Sequence, residues 1–173
     1  QLRFPVDAKD PIVEEWVSAQ ELWHEIVESA HASAEPGLLF WDTAKCMTPA
    51  DIYEAEGFGS TSTNPCGEII LSPYDSCRLM LINLTSFVKN PWQESATFDF
   101  QSYSNVVQKA QRLMDDMVDL EIEKIDKILE KINNDPENSD VKQPEINLWK
   151  KVKEQAVNGR RTGLGITGIG DTL

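Results

Sequence analysis

The pattern of apolar and polar positions predicts a long amphipathic helix in the second half of the chain. From about Ser104 to Ile132, apolar side chains recur every three or four residues, the spacing that places them on one helix face. This stripe consists of Val106, Ala110, Leu113, Met114, Met117, Leu120, Ile125, Ile128, Leu129 and Ile132. A helix of this extent is about 43 Å long. We expect its stripe to pack on strands.

Two further helices and several short strands are predicted around it. The same periodicity favours a helix from about Asp10 to Ala34 and a shorter one from about Pro144 to Val157. Short apolar runs predict buried strands at Leu38–Trp41 and Leu79–Val88, and residues 43–63 have the composition of a loop. Strands that alternate with long helices indicate the α/β class. The three or four strands that can be placed are too few for a closed barrel.

Composition and charge exclude some classes of function. The chain has 173 residues, 40% of them apolar, and 16 Lys plus Arg against 29 Asp plus Glu give a net charge of −13. A chain this acidic is a poor partner for nucleic acid or for an anionic membrane surface, and no apolar run is long enough to span a bilayer. The start, Gln1–Pro5, resembles no signal peptide and lacks an initiator Met. We therefore expect a cytoplasmic protein and a chain that begins inside a longer product.

The segment Asn64–Glu68, Asn-Pro-Cys-Gly-Glu, holds the residue types with the most chemistry. Asn64, Cys66 and Glu68 are spaced i, i+2, i+4, and an extended backbone would place them on one face. A thiol can act as a nucleophile or a radical, a carboxylate as a general base, and an amide as a hydrogen-bonding group. The proline and glycine between them favour a shaped loop over a central strand. The alternative is a turn with a buried cysteine.

Cys77 follows this segment across a turn that Ser72–Ser76 predicts. A return of the chain there would bring Cys77 into the same pocket as Cys66, and an inert core cysteine is the alternative. Cys46 is interpreted as an incidental thiol. Three cysteines without regular spacing argue against a disulfide scaffold.

Three other patterns are interpreted as structural. Gly163–Gly168 spells G-x-G-x-x-G, but a helix precedes it where a dinucleotide site needs a strand, so we expect a closely packed strand. His24 and His31 have no further ligand type at metal-binding spacing, so no metal site is predicted. The acidic run Asp115–Glu123 is interpreted as a solvated helix face.

Asn64–Glu68 resembles the N-P-C-G-E finger-loop motif of ribonucleotide reductase catalytic subunits. Cys77 and the apolar run after it resemble the cysteine-bearing strand that returns after that loop. Glu35–Asp42 and Arg160–Gly165 also resemble the family, in the same order along the chain. The resemblance therefore covers nearly the whole sequence.

This resemblance implies an α/β fold and a radical reaction. The family fold is a ten-stranded α/β barrel with the finger loop at its centre, so residues 1–173 would form a partial catalytic barrel domain. The finger loop would occupy about 60–71 and the long helix about 104–132. The implied activity is the reduction of ribonucleoside di- or triphosphates to deoxyribonucleotides by thiyl-radical chemistry. The chain would be a middle piece of the subunit and inactive alone.

The resemblance also implies a role for each candidate site residue. Cys66 would carry the thiyl radical that abstracts the ribose 3′ hydrogen, Glu68 would take the 3′-hydroxyl proton, and Asn64 would hold the substrate hydroxyls. Cys77 would be half of the dithiol that reduces the 2′ position, with its partner on an earlier strand outside this chain. A thioredoxin- or glutaredoxin-type protein would reduce the resulting disulfide. Arg78 stands where family members carry asparagine, which puts the local hydrogen bonding in question.

The proline and glycine beside Cys66 resemble the adenosylcobalamin-dependent class II enzymes more than the di-iron class. Adenosylcobalamin is therefore the implied cofactor, and a radical supplied by a di-metal small subunit is the alternative. The implied partners are the ribonucleotide and the remaining reductase segments or a second chain. A non-catalytic helical binding module, or a partner-dependent subunit of a split enzyme, is a competing hypothesis. A cysteine hydrolase is a third, and it would need a histidine near Cys66.

Overall fold

The structure is a computed structural model that describes residues 1–6 and 8–173. It divides the chain into two compact units, Gln1–Cys46 and Met47–Leu173. The mixture of helices and strands agrees with the predicted α/β class. The strands of the described residues form four two-stranded sheets, so no closed barrel forms within this part of the chain.

The first unit combines a short β hairpin with helices. β1 (Leu2–Phe4) pairs antiparallel with β2 (Val13–Glu15), and they are followed by α1 (Ala19–Ser33) and α2 (Trp41–Met47). The prediction that α1 starts near Asp10 was wrong, because β2 takes up part of that segment. The Ser18 hydroxyl caps α1 instead, since it accepts a hydrogen bond from the N–H of Glu21 at 3.3 Å.

The strand predicted at Leu38–Trp41 was also wrong. These described residues form no strand, Trp41 begins α2, and Phe40 is 71% exposed. A strand needs a partner for its backbone groups, and the described residues offer none to this run. Residues 43–63, predicted as a loop, contain most of α2 and a 3₁₀ helix at Pro49–Glu56. Proline is tolerated at the start of that helix because its missing N–H would have no helical acceptor there.

The second unit contains the remaining elements. Its strands and helices are, in chain order, β3 (Ser62–Thr63), β4 (Ile70–Leu71), β5 (Leu79–Asn83), β6 (Val88–Lys89), β7 (Thr97–Phe98), α3 (Phe100–Asn134), α4 (Ser139–Gly159), β8 (Gly163–Thr167) and α5 (Ile169–Thr172). β3 pairs antiparallel with β4 and β6 with β7, whereas β5 pairs in parallel with β8. A parallel pair needs a long crossover connection, and α3 and α4 lie within it. The strand predicted at Leu79–Val88 is therefore shorter, because a 3₁₀ helix replaces it from Leu84 onward.

The glycine-rich run forms β8, as predicted, and packs closely on β5. Leu79 lies opposite Gly163 and Leu81 opposite Gly165. A Cβ atom on Gly163 would lie 2.9 Å from the carbonyl oxygen of Arg78, and one on Gly165 would lie 2.8 Å from Cδ2 of Leu81. The glycines are therefore explained by close approach of the two strands.

The long helix is confirmed, and four of its five buried residues belong to the predicted stripe, but other members of that stripe are exposed. Its buried residues are Ala110, Met114, Val118, Ile125 and Ile132. α4, β5 and β8 pack against α3. Leu113 and Leu120, both members of the predicted stripe, are 52% and 57% exposed. The apolar residues of α3 spread over more than one face, and only the packing partners select which face is covered.

The start of α4 differs from the prediction, whereas the turn before β5 agrees with it. α4 begins at Ser139, earlier than predicted, and Pro144 lies inside it. The turn at Ser72–Ser76 is confirmed, because the N–H of Asp75 donates to the carbonyl of Ser72 at 3.3 Å. Tyr74 adopts a φ of +61° in this turn.

We expect Met114→Ala to destabilise the 173-residue chain by about 2–5 kcal/mol, because Met114 is 0% exposed and its removal leaves a cavity. The neighbouring Leu113→Ala is a matched control and should change the free energy of unfolding by no more than about 0.5 kcal/mol. Urea unfolding followed by far-ultraviolet circular dichroism measures both. Equal costs at the two positions would show that the buried face is assigned wrongly.

Stability should also depend on the charge of Asp99, the N-cap of α3. The Lys89 ammonium at 2.8 Å, together with the N–H and hydroxyl of Ser102, holds the pKa of Asp99 well below its usual range. A pKa lowered by folding stabilises the chain above the unfolded pKa of about 3.9, and this contribution is lost as pH falls below it. In urea titrations from neutral pH to pH of about 3, Asp99→Asn should lose less stability on acidification than the unmodified chain. Identical pH profiles would contradict the assignment.

Candidate functional site

The loop between β3 and β4 is closed by hydrogen bonds across its base. The N–H of Asn64 donates to the carbonyl of Ile69 at 3.2 Å, and Asn64 Oδ1 accepts from the N–H of Ile69 at 3.0 Å. The N–H of Gly67 donates to the carbonyl of Asn64 at 3.0 Å, and Gly67 has a φ of +80°, which favours glycine. The sequence thus supplies an asparagine that bridges the base of the loop and a glycine that permits its turn.

The extended arrangement predicted for Asn64, Cys66 and Glu68 is therefore wrong. The chain turns at residues 65–66 and bends over 67–69, so the spacing of these residues does not define one strand face. Asn64 is half-buried, whereas Cys66 and Glu68 are exposed. The alternative of a buried cysteine is wrong as well. The hairpin presents a thiol and a carboxylate to the outside.

Cys77 lies between the Ser72–Ser76 turn and β5, and its thiol is free and exposed. It is not the core cysteine of the alternative interpretation. Cys46 and Cys66 are also free and exposed, so none of the three is in a disulfide. The residues around Cys77 are held in place, because Asp75 and Arg78 both make ion pairs.

Arg161, which follows α4 and its cap, joins two parts of this site. Its Nη1 donates to the carbonyl of Ile70 in β4 at 2.6 Å, and its Nε lies 3.0 Å from Oδ2 of Asp75. The Asp75 side chain is 4% exposed, so this is an ion pair with one nearly buried partner. The carbonyl of Arg161 accepts from Nη1 of Arg78 at 2.8 Å.

The acidic run of α3 is at least partly exposed, as expected of a solvated face, and three of its carboxylates also form ion pairs with Arg160 and Arg78. Arg160 lies 2.7 Å from a carboxylate oxygen of Asp115 and 2.8 Å from one of Asp119. The carboxylates of Asp119 and Asp115 raise the pKa of Arg160 above its ordinary value. Glu121 lies 2.5 Å from Nε of Arg78, whose side chain is 5% exposed. Arg78 therefore has its own acidic partner, which answers the question raised by its place after Cys77.

The sequence did not predict the pairing of Asp75 with Arg161. Asp75 was interpreted only as a turn residue, and no local spacing rule links it to a position after α4. The available signal was two adjacent arginines directly after the end of a helix in an otherwise acidic chain. Such residues are expected to find carboxylates.

Asp75 and Arg161 also line an open cavity of about 490 Å³ with Tyr53 and Phe58. None of the four predicted site residues, all of them described, lines this cavity. Among residues 1–6 and 8–173, no three His, Cys, Asp or Glu side chains are arranged to hold a metal ion. In that same part of the chain, no helix combines the length and the apolar character needed to cross a membrane.

The sequence matches the family described as "Ribonucleotide reductase, barrel domain" over residues 5–173. The chain belongs to this family. The resemblance noted from the N-P-C-G-E loop and the segments around it is therefore confirmed.

Curated relatives of this barrel-domain chain are much longer proteins. The vitamin B12-dependent ribonucleoside-diphosphate reductase of Thermoplasma acidophilum is 31% identical over 158 residues, which cover 91% of this chain and 16% of that protein. A protein of the same name from Mycobacterium tuberculosis is 37% identical over 103 residues, 59% of this chain and 13% of its own length. The vitamin B12-dependent ribonucleotide reductase of Streptomyces coelicolor is 31% identical over 104 residues, 60% and 10% of the two chains. This chain therefore spans 16% or less of each of these relatives. No solved structure matches it significantly.

We expect Asn64→Ala to loosen the base of the loop, because it removes the oxygen that accepts from the N–H of Ile69. Loss of one hydrogen bond should speed hydrogen exchange at the Ile69 amide by about 2- to 10-fold. Asn64→Asp retains an acceptor and is the matched control. The proposal about the loop base fails if exchange is unchanged in Asn64→Ala or equally fast in both variants.

Proposed function

We propose that this chain is the finger-loop segment of a vitamin B12-dependent ribonucleotide reductase, with the finger loop at about 60–71. The observation that carries the proposal is the N-P-C-G-E loop at the tip of an anchored hairpin, where Cys66 and Glu68 are exposed. The relatives named as reductases support the reaction class, which is the conversion of ribonucleoside di- or triphosphates to deoxyribonucleotides. They do not favour a helical binding module or a cysteine hydrolase.

The loop residues divide the radical step between them. A thiyl radical at Cys66 takes the 3′ hydrogen atom of the ribose and returns it after reduction. The Glu68 carboxylate takes the proton of the 3′ hydroxyl, which is general-base chemistry. Oδ1 of Asn64 is engaged with the N–H of Ile69, so its Nδ2 is the group that donates to a substrate hydroxyl.

Cys77 supplies half of the reducing equivalents. Its thiol and a second thiol outside this chain lose two electrons and two protons and become a disulfide, while C2′ gains a hydrogen and its hydroxyl leaves as water. A thioredoxin- or glutaredoxin-type dithiol then reduces that disulfide by exchange. This need places the proposed activity in the cytoplasm, where thiols are kept reduced.

Adenosylcobalamin supplies the radical that starts the reaction. The exposed Cys66 thiol suits a radical source that approaches from outside the chain. No residue of this chain is assigned to hold the corrinoid. A thiyl radical needs a site closed to water, and the loop tip is open here, so the remaining barrel segments must provide the closure.

We expect the isolated chain to form no deoxyribonucleotide, and the full-length reductase to be active. In the full-length protein, Cys66→Ser should abolish turnover and leave nucleotide binding intact, because it removes the radical carrier and little volume. Cys77→Ser should block product formation while cofactor cleavage continues. Cys46→Ser is the matched control, since it removes another exposed thiol of the chain without affecting the reaction.

The measurements are deoxynucleotide formation, corrinoid cleavage and nucleotide affinity on the same preparations. Full turnover by Cys66→Ser would refute the assignment of the radical site. Turnover by the isolated chain would show that the loop does not need the other segments. Loss of activity in Cys46→Ser would show that thiol removal acts through the fold.

A further inference from the structure

The side chain of Arg161 contacts the segment between Cys66 and Cys77 at two points. The first is the carbonyl of Ile70, in the strand that leaves the finger loop, which accepts from Nη1 of Arg161 at 2.6 Å. The second is the carboxylate of Asp75, in the turn that leads to Cys77, which lies 3.0 Å from Nε of Arg161. The guanidinium of Arg161 therefore contacts both the strand that follows Cys66 and the turn that precedes Cys77.

The ion pair between Arg161 and Asp75 is energetically costly to break. The Asp75 side chain is 4% exposed, and a buried carboxylate without a partner is strongly unfavourable. A guanidinium is planar, so its donors have fixed relative directions, and charge-assisted hydrogen bonds are stronger than neutral ones. Arg161 can therefore satisfy Asp75 and Ile70 together only from a narrow range of positions.

The backbone on the far side of Cys77 is tied to the same segment. Nη1 of Arg78 donates to the carbonyl of Arg161 at 2.8 Å, and the N–H of Gly163 donates to the carbonyl of Arg78 at 2.8 Å. Residues before and after Cys77 thus both contact the short stretch that carries Arg161.

We propose that Arg161 is a positioning residue that sets the finger loop relative to Cys77. The inference rests on the proposed function, in which a thiyl radical at Cys66 and a thiol at Cys77 act on adjacent carbons of one ribose. Misplacement of reacting groups by about 1 Å can lower a rate by about 10²-fold. Arg161 acts through Ile70 and Asp75 and is not assigned a contact with the substrate.

The test uses Arg161→Gln in the full-length reductase, with Arg160→Gln as a matched control. The two arginines are adjacent, but the side chain of Arg160 pairs with Asp115 and Asp119 on α3 and not with the hairpin. Arg161→Gln should lower kcat by about 10²-fold with little change in the nucleotide KM, and Arg161→Lys should restore part of the rate. Hydrogen exchange should become faster in residues 62–71 and stay unchanged in α3. Arg160→Gln should leave kcat and the exchange of residues 62–71 unchanged.

Asp75→Asn provides a second route to the same measurement if Arg161→Gln does not fold. It weakens the ion pair and should also speed exchange in residues 62–71 and lower kcat. Unchanged kcat and unchanged exchange in the folded variants would overturn the inference, as would equal losses in Arg161→Gln and Arg160→Gln. Failure of the proposed function would give a different result, because the unmodified full-length protein would then show no reductase turnover. The exchange measurement would still test whether Arg161 holds the hairpin.

Discussion

Burying the Asp75 carboxylate is unfavourable unless a cation lies against it, and the arrangement of the site depends on how Arg161 meets that need. Because the same guanidinium also binds the carbonyl of Ile70, the requirement of one buried charge fixes the direction of β4 and, through it, the β3–β4 hairpin. Arg78 adds a second nearly buried charge, satisfied by Glu121 and by the carbonyl of Arg161. The backbone that carries the exposed thiols is thus determined by electrostatics beneath it.

The ion pairs of Arg160, Arg78 and Arg161 contribute differently to stability because their exposure differs. Arg160 is 35% exposed, and its partners Asp115 and Asp119 are 45% and 58% exposed, so water and salt screen these pairs and each contributes little to stability. The side chains of Arg78 and Asp75 are 5% and 4% exposed. Removal of their respective partners, Glu121 and Arg161, would leave a nearly buried charge without its ion pair. The net charge of −13 does not change which ion pairs matter most for stability. Salt screens interactions between distant exposed charges much more than it screens the buried pairs.

The sequence predicted features whose cause is local, and its errors concern features set by distant partners. The extent of α3 follows from helical periodicity, although its start was placed late because the cap provided by Asp99 precedes the apolar stripe. β8 follows from glycines that permit close strand approach. The buried face of α3 is chosen by α4 and the sheet, and the pairing of Asp75 with Arg161 joins distant positions. In the loop between β3 and β4, the hydrogen bonds between Asn64 and Ile69 override the extended pattern that the residue spacing suggested.

Anchoring and closure of the proposed site are separate physical problems, and this chain solves the first. The base of the β3–β4 hairpin is held by hydrogen bonds and buried charge, whereas its tip is open. The β5–β8 pair exposes Leu79, Leu81 and Ile166 at 56%, 63% and 48%, and a two-stranded parallel sheet is seldom stable without further strands and covering helices. In a barrel domain, further strands would cover these apolar side chains. Under the proposed function, the same added segments would also exclude water from Cys66, so that thiyl chemistry would require the complete fold.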